Sequence, residues 1–225
     1  MNPKKTWRQM GKFKLPGLLT ADWNIGSGQF SDQVFSELVA SVKHEKVKDV
    51  LICGNILEGL VRRSEQSDLI DLAAGYLKQI PSRTKISMIS GVNEETMKKR
   101  SGYDALRILA ERIPNATYYG KVAKLKLGNR FSLMAMHGRG KNSYASLFPV
   151  QKAYAKLRAK PNILVMGHFR EMLHTIVPHG HLLIEPGTLA MEPIYVPRRG
   201  VVGWYILREY DEEHYKITER HPKVY

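Results

Sequence analysis

The stretch that decides the fold is "PGLLTADWNIGSG", from Pro16 to Gly28. A short apolar run ends at Asp22, and a loop rich in glycine, serine and asparagine follows it. In many hydrolases an aspartate at the tip of a first strand binds a metal ion, and a second ligand, often histidine, stands two residues later. Here that second position holds Asn24, a poor ligand. The stretch therefore indicates a metal site or what is left of one.

Outward from this stretch, strand-like and helical patterns alternate. Apolar runs predict strands at 17–21, 49–54 and 84–91. Periodic apolar positions predict helices at 31–46, 64–80 and 94–113, with an interruption at Gly102. Ser31 is a good N-cap, and Phe30 before it can pack on Phe35 one turn later. This β-α-β-α-β-α order predicts a mostly parallel sheet covered by helices.

The second half of the chain is richer in predicted strands. Runs at 121–127 and 131–138 flank Gly128-Asn129-Arg130 and predict a hairpin. A helix is expected at 143–160. Further strands are expected at 162–168, 173–178, 181–187, 201–210 and 214–218. With no internal repeat and no linker, we predict a basic N-terminal arm over 1–14 and a single domain over 15–225.

The charge of the chain predicts a polyanionic partner. Its 225 residues contain 35 Lys and Arg against 21 Asp and Glu, which gives a net charge of +14. Such an excess attracts nucleic acid first, and then acidic surfaces or acidic proteins. We expect nucleic acid, DNA or RNA, or a nucleic-acid-processing protein as the partner, and no membrane. The candidate phosphate contacts are Lys4, Lys5, Arg8, Lys124, Lys126, Arg130, Arg198 and Arg199.

Cysteine usage and hydropathy predict a cytoplasmic protein. The single cysteine, Cys53, lies in the apolar run "DVLICG" and is interpreted as a small buried hydrophobic residue. One cysteine cannot form a disulfide within the chain, which fits a reducing compartment. No apolar run approaches the ~20 residues of a membrane span. The basic N-terminus lacks the apolar core of a secretory signal.

Polar residues follow five of the predicted strands. They are Asp22-Trp23-Asn24, Gly54-Asn55-Ile56-Leu57-Glu58, Gly91-Val92-Asn93-Glu94, Met136-His137-Gly138 and Gly167-His168-Phe169-Arg170. In α/β sheets the loops after the carboxyl ends of the strands gather into one site. A single histidine after a strand is usually structural, but five such turns in order predict a common site.

The order and spacing of these turns resemble the calcineurin-like metallophosphoesterases, a family that includes DNA-repair nucleases. The resemblance covers roughly Leu15 to Leu207. The family pattern is Asp-x-His, Gly-Asp-x-x-Asp, Gly-Asn-His-Asp/Glu, a lone histidine after a strand, and Gly-His-x-His. "LIEPGTL" (183–189) and "GVVGWYIL" (200–207) resemble the end of that pattern. The resemblance implies an α/β fold, a four-layer α/β/β/α sandwich of two mixed sheets, with two metals at the strand tips.

The resemblance also implies which ligands are kept and which are lost. Asp22, His137 and His168 match metal-ligand positions. The lost ligand positions hold Asn24, Asn55 and Arg170. In the third turn, Val92 stands at a ligand asparagine, and Asn93 stands at the histidine that assists the leaving group, so Asn93 is a catalytic remnant.

These replacements predict an impaired metal site. A neutral amide at position 55 removes the carboxylate that makes two close dications tolerable. Arg170 brings a permanent cation to the first metal position, and we expect it to form a bidentate pair with Asp22. No cofactor is expected, or at most one divalent ion, Zn²⁺ or Mn²⁺, on His137 and His168, which are fewer ligands than tight sites use.

Three hypotheses about function follow. The first is a catalytically impaired metallophosphoesterase-fold protein, a pseudoenzyme, that binds nucleic acid or a nucleic-acid-processing partner. The second is an active metal-dependent phosphodiesterase or nuclease with an unusual or single-metal site, since the replacing asparagines can coordinate weakly. The third is a protein-interaction scaffold without nucleic-acid binding. Salt-sensitive binding to nucleic acid separates the first from the third, and metal content separates the second from both.

Overall fold

Two mixed six-stranded sheets form the centre of the molecule. The computed structural model describes residues 11–59, 61–128, 131–140, 145–191, 200–209 and 215–222. The strands are β1 (Gly11–Phe13), β2 (Gly17–Thr20), β3 (Asp49–Cys53), β4 (Lys85–Ile89), β5 (Ala116–Tyr118), β6 (Val122–Leu127), β7 (Phe131–His137), β8 (Ile163–Gly167), β9 (Met172–Val177), β10 (His181–Pro186), β11 (Trp204–Glu209) and β12 (Tyr215–Arg220). The helices are α1 (Asp32–His44), α2 (Gln66–Leu77), α3 (Val92–Ser101), α4 (Ala105–Arg112) and α5 (Phe148–Lys156).

The first sheet contains β2 to β5, from the part of the chain in which strands and helices alternate, together with β11 and β12. Its strand order is β12-β11-β2-β3-β4-β5, with β2 to β5 parallel and β11 and β12 antiparallel at one edge. The three parallel strands β2 to β4 were predicted from their apolar runs. The short strand β5 was not predicted, because its side chains are only half-buried and its sequence carries no apolar run.

Helices α1, α2 and α4 cover the outer face of this sheet. The helix α1 begins as predicted, because the side chain of Ser31 accepts a hydrogen bond from the backbone N–H of Val34. The predicted break at Gly102 is also present, since this residue ends α3 with a φ of 78°. The helices pack on alternate residues of the strands, among them Leu18, Val50 and Ile52.

The second sheet has the strand order β1-β6-β7-β8-β10-β9. It is mixed, because β6–β7 and β10–β9 are antiparallel whereas the other neighbours are parallel. The strand β1 falls within the segment expected to be a basic arm, where Lys12 and its neighbours pair with β6. Residues 1–10 of that segment lie outside the described residues.

Helix α5 covers β8 and β10 on the outer face of the second sheet. It is shorter than the predicted helix at 143–160. At its start Leu147 has a φ of 62°, and at its end Leu157 is extended, so neither residue continues the helix. Pro149 fits the first turn, where a missing N–H costs nothing. Residues 143 and 144 of the predicted helix lie outside the described part.

The two sheets face each other across an apolar core. Alternate residues of β2 and β3, such as Leu19 and Leu51, point away from the helices and pack on Leu125, Leu133 and other residues of the second sheet. The predicted four-layer α/β/β/α sandwich is therefore confirmed. In the residues that the structure describes, we found no helix with the length and apolar character of a membrane span.

Candidate functional site

The strand-tip turns meet at one end of the sandwich, where the backbone is unusually strained. Eight described non-glycine residues have a positive φ, and five of them lie in these turns. They are Asp22, Asn24, Asn55, His168 and Arg170, with φ values between 49° and 101°. Non-glycine residues in this region cost of order 1–3 kcal/mol each and cluster at functional sites. The backbone therefore turns the polar side chains into a common pocket at a cost in stability.

Backbone hydrogen bonds hold the first two turns side by side. The N–H of Asp22 donates to the carbonyl of Gly54 at 3.0 Å, and the N–H of Asn24 donates to the carbonyl of Asn55 at 2.9 Å. The third turn packs closely against them at Gly91, where an added Cβ would lie 2.3 Å from Oδ1 of Asn55. Glycine is required there because of this close approach.

Asp22 is fully buried, and both of its carboxylate oxygens accept hydrogen bonds from neutral donors. Its Oδ1 accepts from Nδ2 of Asn55 at 2.9 Å. Its Oδ2 accepts from the backbone N–H of His168 at 2.8 Å. A buried carboxylate needs such donors, because an unpaired buried charge costs several kcal/mol. The position where the family resemblance implies a bridging carboxylate is thus occupied by an amide that donates to Asp22.

Three asparagines form a network whose orientation is fixed by backbone groups. Oδ1 of Asn55 accepts from the backbone N–H of Asn93 at 3.0 Å, so its Nδ2 must face Asp22. Nδ2 of Asn93 donates to the carbonyl of Leu57 and to Oδ1 of Asn24, both at 2.9 Å. Nδ2 of Asn24 donates in turn to the carbonyl of Asp22 at 3.3 Å. Since a carbonyl only accepts and an N–H only donates, no amide in the network can be reversed without losing hydrogen bonds.

The two matched histidines lie beside this network. Nδ1 of His137 donates to the carbonyl of Cys53 at 2.7 Å. Its Nε2 therefore points to Oδ1 of Asp22, at 3.9 Å, and is buried with no hydrogen-bond partner among the described residues. The ring of His168 lies 5.1 Å from that of His137, and its Nε2 donates to the carbonyl of Gly140 at 2.7 Å.

Glu94 is a buried residue of the site to which sequence reasoning assigned no role. Its carboxylate accepts hydrogen bonds from the backbone N–H groups of Asn55, Leu57 and Gly91, at 2.7 to 3.1 Å. Burial raises the pKa of this carboxyl above its usual value. Glu94 thereby joins the second turn to the third. The sequence feature that could have predicted a role for Glu94 was its position in the third turn, where the family pattern has Asp or Glu.

Comparison with known proteins identifies the architecture. The sequence matches no protein-family model and no curated protein. Among solved structures, Vps29 from Entamoeba histolytica, complexed with Zn²⁺, has a TM-score of 0.53 at 16% identity, with 91% of this chain and 97% of that chain covered. The hypothetical protein PH1004 from Pyrococcus horikoshii OT3 has a TM-score of 0.54 at 12% identity, with 92% and 88% covered.

This chain has the calcineurin-like metallophosphoesterase fold. A weaker likeness is found to Pseudomonas putida nuclease MPE, with a TM-score of 0.43 at 14% identity and coverage of 85% of this chain and 84% of that one. These identities are low, so the likeness concerns the fold.

The residues at the metal position of this metallophosphoesterase fold do not fit a pair of metal ions. Asn55 presents its NH₂ group to Asp22, and Nε2 of His168 is engaged by a carbonyl. Among the described residues, the buried Nε2 of His137 has no hydrogen-bond partner and faces Oδ1 of Asp22 at 3.9 Å, but both oxygens of Asp22 already accept hydrogen bonds. Within the residues described, no group of three His, Cys, Asp or Glu side chains is arranged to hold a metal ion. Tight sites use three or four protein ligands.

The predicted ion pair between Asp22 and Arg170 is wrong for the described residues. Asp22 is satisfied by Asn55 and by the backbone of His168 instead. The partly buried Arg170 donates from Nη1 to Oε1 of Gln29 at 3.5 Å. The side chain of Asn55 is short and fixed at the adjacent strand tip, so it loses little conformational entropy when it donates to Asp22. A guanidinium at the end of a long side chain loses more entropy to reach the same oxygens.

Of the predicted phosphate contacts, the structure describes two. Lys124 and Lys126 lie on β6, where the burial pattern alternates, and both point to the outer face of the second sheet. Lys4, Lys5, Arg8, Arg130, Arg198 and Arg199 lie outside the described residues. The two lysines are on the sheet face, not in the pocket of Asp22, so the predicted site residues divide into two separate groups.

Proposed function

We propose that this protein is a non-hydrolytic member of the metallophosphoesterase fold that binds nucleic acid. The observation that carries the first part is the hydrogen bond from Nδ2 of Asn55 to Asp22. Two-metal hydrolysis clamps the attacking and leaving oxygens between two cations, and a bridging carboxylate must offset their charge. An amide that donates into Asp22 supplies no such charge. A hydrogen-bond network of asparagines around Asp22 stands in place of a catalytic centre.

The distribution of charge along the chain supports the second part. From Arg112 to Arg170 the sequence contains 12 Lys and Arg and no Asp or Glu. These 59 residues therefore contribute +12 of the net charge of +14. Apart from β5 and the end of α4, their described elements belong to the second sheet or to α5. Phosphate backbones are the common cellular ligands for such a concentration of basic residues.

A binding and hydrolysis assay on the same sample tests this proposal. Purified protein is titrated into labelled DNA and RNA at 50 and 200 mM salt, and the same mixtures are checked for cleavage with Mn²⁺ or Zn²⁺ added. We expect binding that weakens steeply with salt and no cleavage. No binding at 50 mM salt would overturn the nucleic-acid function. Metal-dependent cleavage that co-purifies with the protein would overturn the non-hydrolytic assignment.

A single-metal phosphodiesterase is the second candidate, and one observation favours it. Nε2 of His137 is buried, lacks a partner among the described residues and faces Asp22. One divalent ion between them would give Nε2 of His137 a partner and take Asp22 as its second ligand. If cleavage is found, His137→Gln must abolish it, because that substitution removes the ring nitrogen that faces Asp22. Cleavage that survives His137→Gln would indicate a contaminating nuclease.

A further inference from the structure

We infer that the nucleic-acid surface is the outer face of the second sheet at its β1–β6 edge together with the adjacent helix α5, and that its ligand is single-stranded. This inference rests on the proposed function and adds the location and the strandedness. We call this surface the basic shelf. It consists of Lys12, Lys124, Lys126, Phe148, Lys152 and Lys156.

The strand part of the basic shelf is built by pairing register. Lys12 on β1 is the register partner of Lys126 on β6, and both side chains are exposed. Their sequence neighbours Phe13 and Leu127 are buried between the sheets, so the two lysines must point to the opposite, outer face. Lys124 lies two residues before Lys126 and therefore on the same face.

The helix part lies on the same outer side. Helix α5 packs on β8 and β10, so β7 alone separates the strands it covers from β6. Lys152 and Lys156 are exposed and four residues apart, which places them on one face of the helix. The buried residue of α5 is Val150, so these lysines lie away from the sheet.

The basic shelf contains two pairs of neighbouring lysines, Lys12 with Lys126 and Lys152 with Lys156. At both places a pair of opposite charges would stabilise the fold. Like charges that are register partners on neighbouring strands destabilise a sheet. Like charges at i and i+4 destabilise a helix. Among the described residues, none of Lys12, Lys126, Lys152 and Lys156 forms an ion pair. A polyanion laid across the shelf would relieve both repulsions, and this relief is the physical reason to place the ligand there.

An exposed aromatic ring points to a single strand. Phe148 is 47% exposed at the start of α5, and Nζ of Lys152 lies 5.9 Å from the centre of its ring. Proteins that bind single strands combine a basic track with aromatic rings on which bases stack. A base-paired duplex cannot offer an unstacked base to this ring. The aromatic residue therefore selects single-stranded ligand over duplex.

The first test removes four charges from the shelf. The full chain with Lys12, Lys126, Lys152 and Lys156 all changed to Gln is compared with wild type by fluorescence anisotropy on labelled oligo-dT of about 20 nucleotides, longer than common single-strand sites. Each lost phosphate contact lowers the slope of log K against log salt by about 0.7, which is about fivefold in affinity at 0.1 M salt. We expect a loss of at least tenfold and a shallower salt slope.

The matched control removes the same charge elsewhere. Lys43 on α1, Lys78 at the end of α2, and Lys48 and Arg83 just before β3 and β4 are all exposed, and all four are changed to Gln. This variant has the same net charge as the shelf variant, and we expect it to bind within about threefold of wild type. An equal loss in both variants would show that net charge alone governs binding and would overturn the shelf. Undiminished binding by the shelf variant would overturn it too.

The second test separates stacking from charge. Phe148→Ala should weaken binding to oligo-dT about fivefold or more, the range for one lost stacked base, and leave binding to a duplex of the same length unchanged. Tyr103→Ala, at another exposed ring (53% exposed), is the control and should alter neither. Tighter binding of wild type to duplex, or no effect of Phe148→Ala, would overturn the single-strand assignment. Wild type that binds neither ligand would refute the proposed function itself.

Discussion

Glu185→Gln should stabilise the protein at alkaline pH and leave its stability unchanged in mild acid. Glu185 lies on β10, only 1% exposed. It follows Leu183 by two residues and so shares the outer face of the sheet, near the backbone N–H of Val150 in the first turn of α5. Neither carboxylate oxygen has a hydrogen-bond partner within the described residues. Such a carboxyl is more stable protonated than charged.

The size of this stability difference follows from the pKa of Glu185. Burial, and secondarily the charge of Glu171, raises the pKa of Glu185 from 4.5 to about 7. A raised carboxyl pKa means that the folded state binds the proton more tightly, so stability falls as pH rises from about 4.5 to about 7 and is constant above that. At 1.36 kcal/mol per pH unit, this difference amounts to about 3 kcal/mol. Glutamine has no charge to bury and avoids the loss.

Urea unfolding of wild type and Glu185→Gln between pH 4.5 and 8.5 measures this effect. The difference in free energy of unfolding should be near zero at pH 4.5 and reach about 3 kcal/mol at pH 8, or about 6 °C in Tm for a chain of this length. Glu209→Gln, at an exposed glutamate of β11, is the control and should give a flat difference. A difference for Glu185→Gln that does not change with pH would refute the reasoning.

Three further predictions concern the pocket. Asn55→Asp combined with Arg170→His should create a divalent-metal site, detected as about one Mn²⁺ or Zn²⁺ per chain by calorimetry, because a second carboxylate then adjoins Asp22; metal binding by wild type with equal affinity would contradict this. Glu94→Gln should cost about 3 kcal/mol in urea unfolding, since an NH₂ group would face a backbone N–H that the carboxylate now accepts, whereas Glu95→Gln, at the half-buried neighbour, should cost under about 1 kcal/mol. Cys53 should not react with a thiol reagent in the native protein and should react fully in urea, because burial raises the pKa of its thiol; a fast native reaction would contradict this.

The sequence by itself determined most of the order of elements, without β1 and β5, and the location of the site. Apolar periodicity located α1, α2 and the buried strands, because burial of one face repeats along a helix or strand and is visible locally. Cap and turn chemistry located Ser31 and Gly102 for the same local reason. The polar turns could be assigned to one pocket, since parallel strands carry their carboxyl ends to one edge.

Only the tertiary structure decided which groups meet in that pocket. Asp22 is bound by Asn55 and by the backbone of His168, which are 33 and 146 residues away along the chain. Which donor reaches its carboxylate depends on the left-handed turns and on the packing of the turns against each other, and neither is encoded in local periodicity. The register that sets Lys12 beside Lys126 is likewise a non-local pairing. Sequence patterns predict which side chains lie at a strand end or on a face, whereas their partners depend on distances that exist only after the chain has folded.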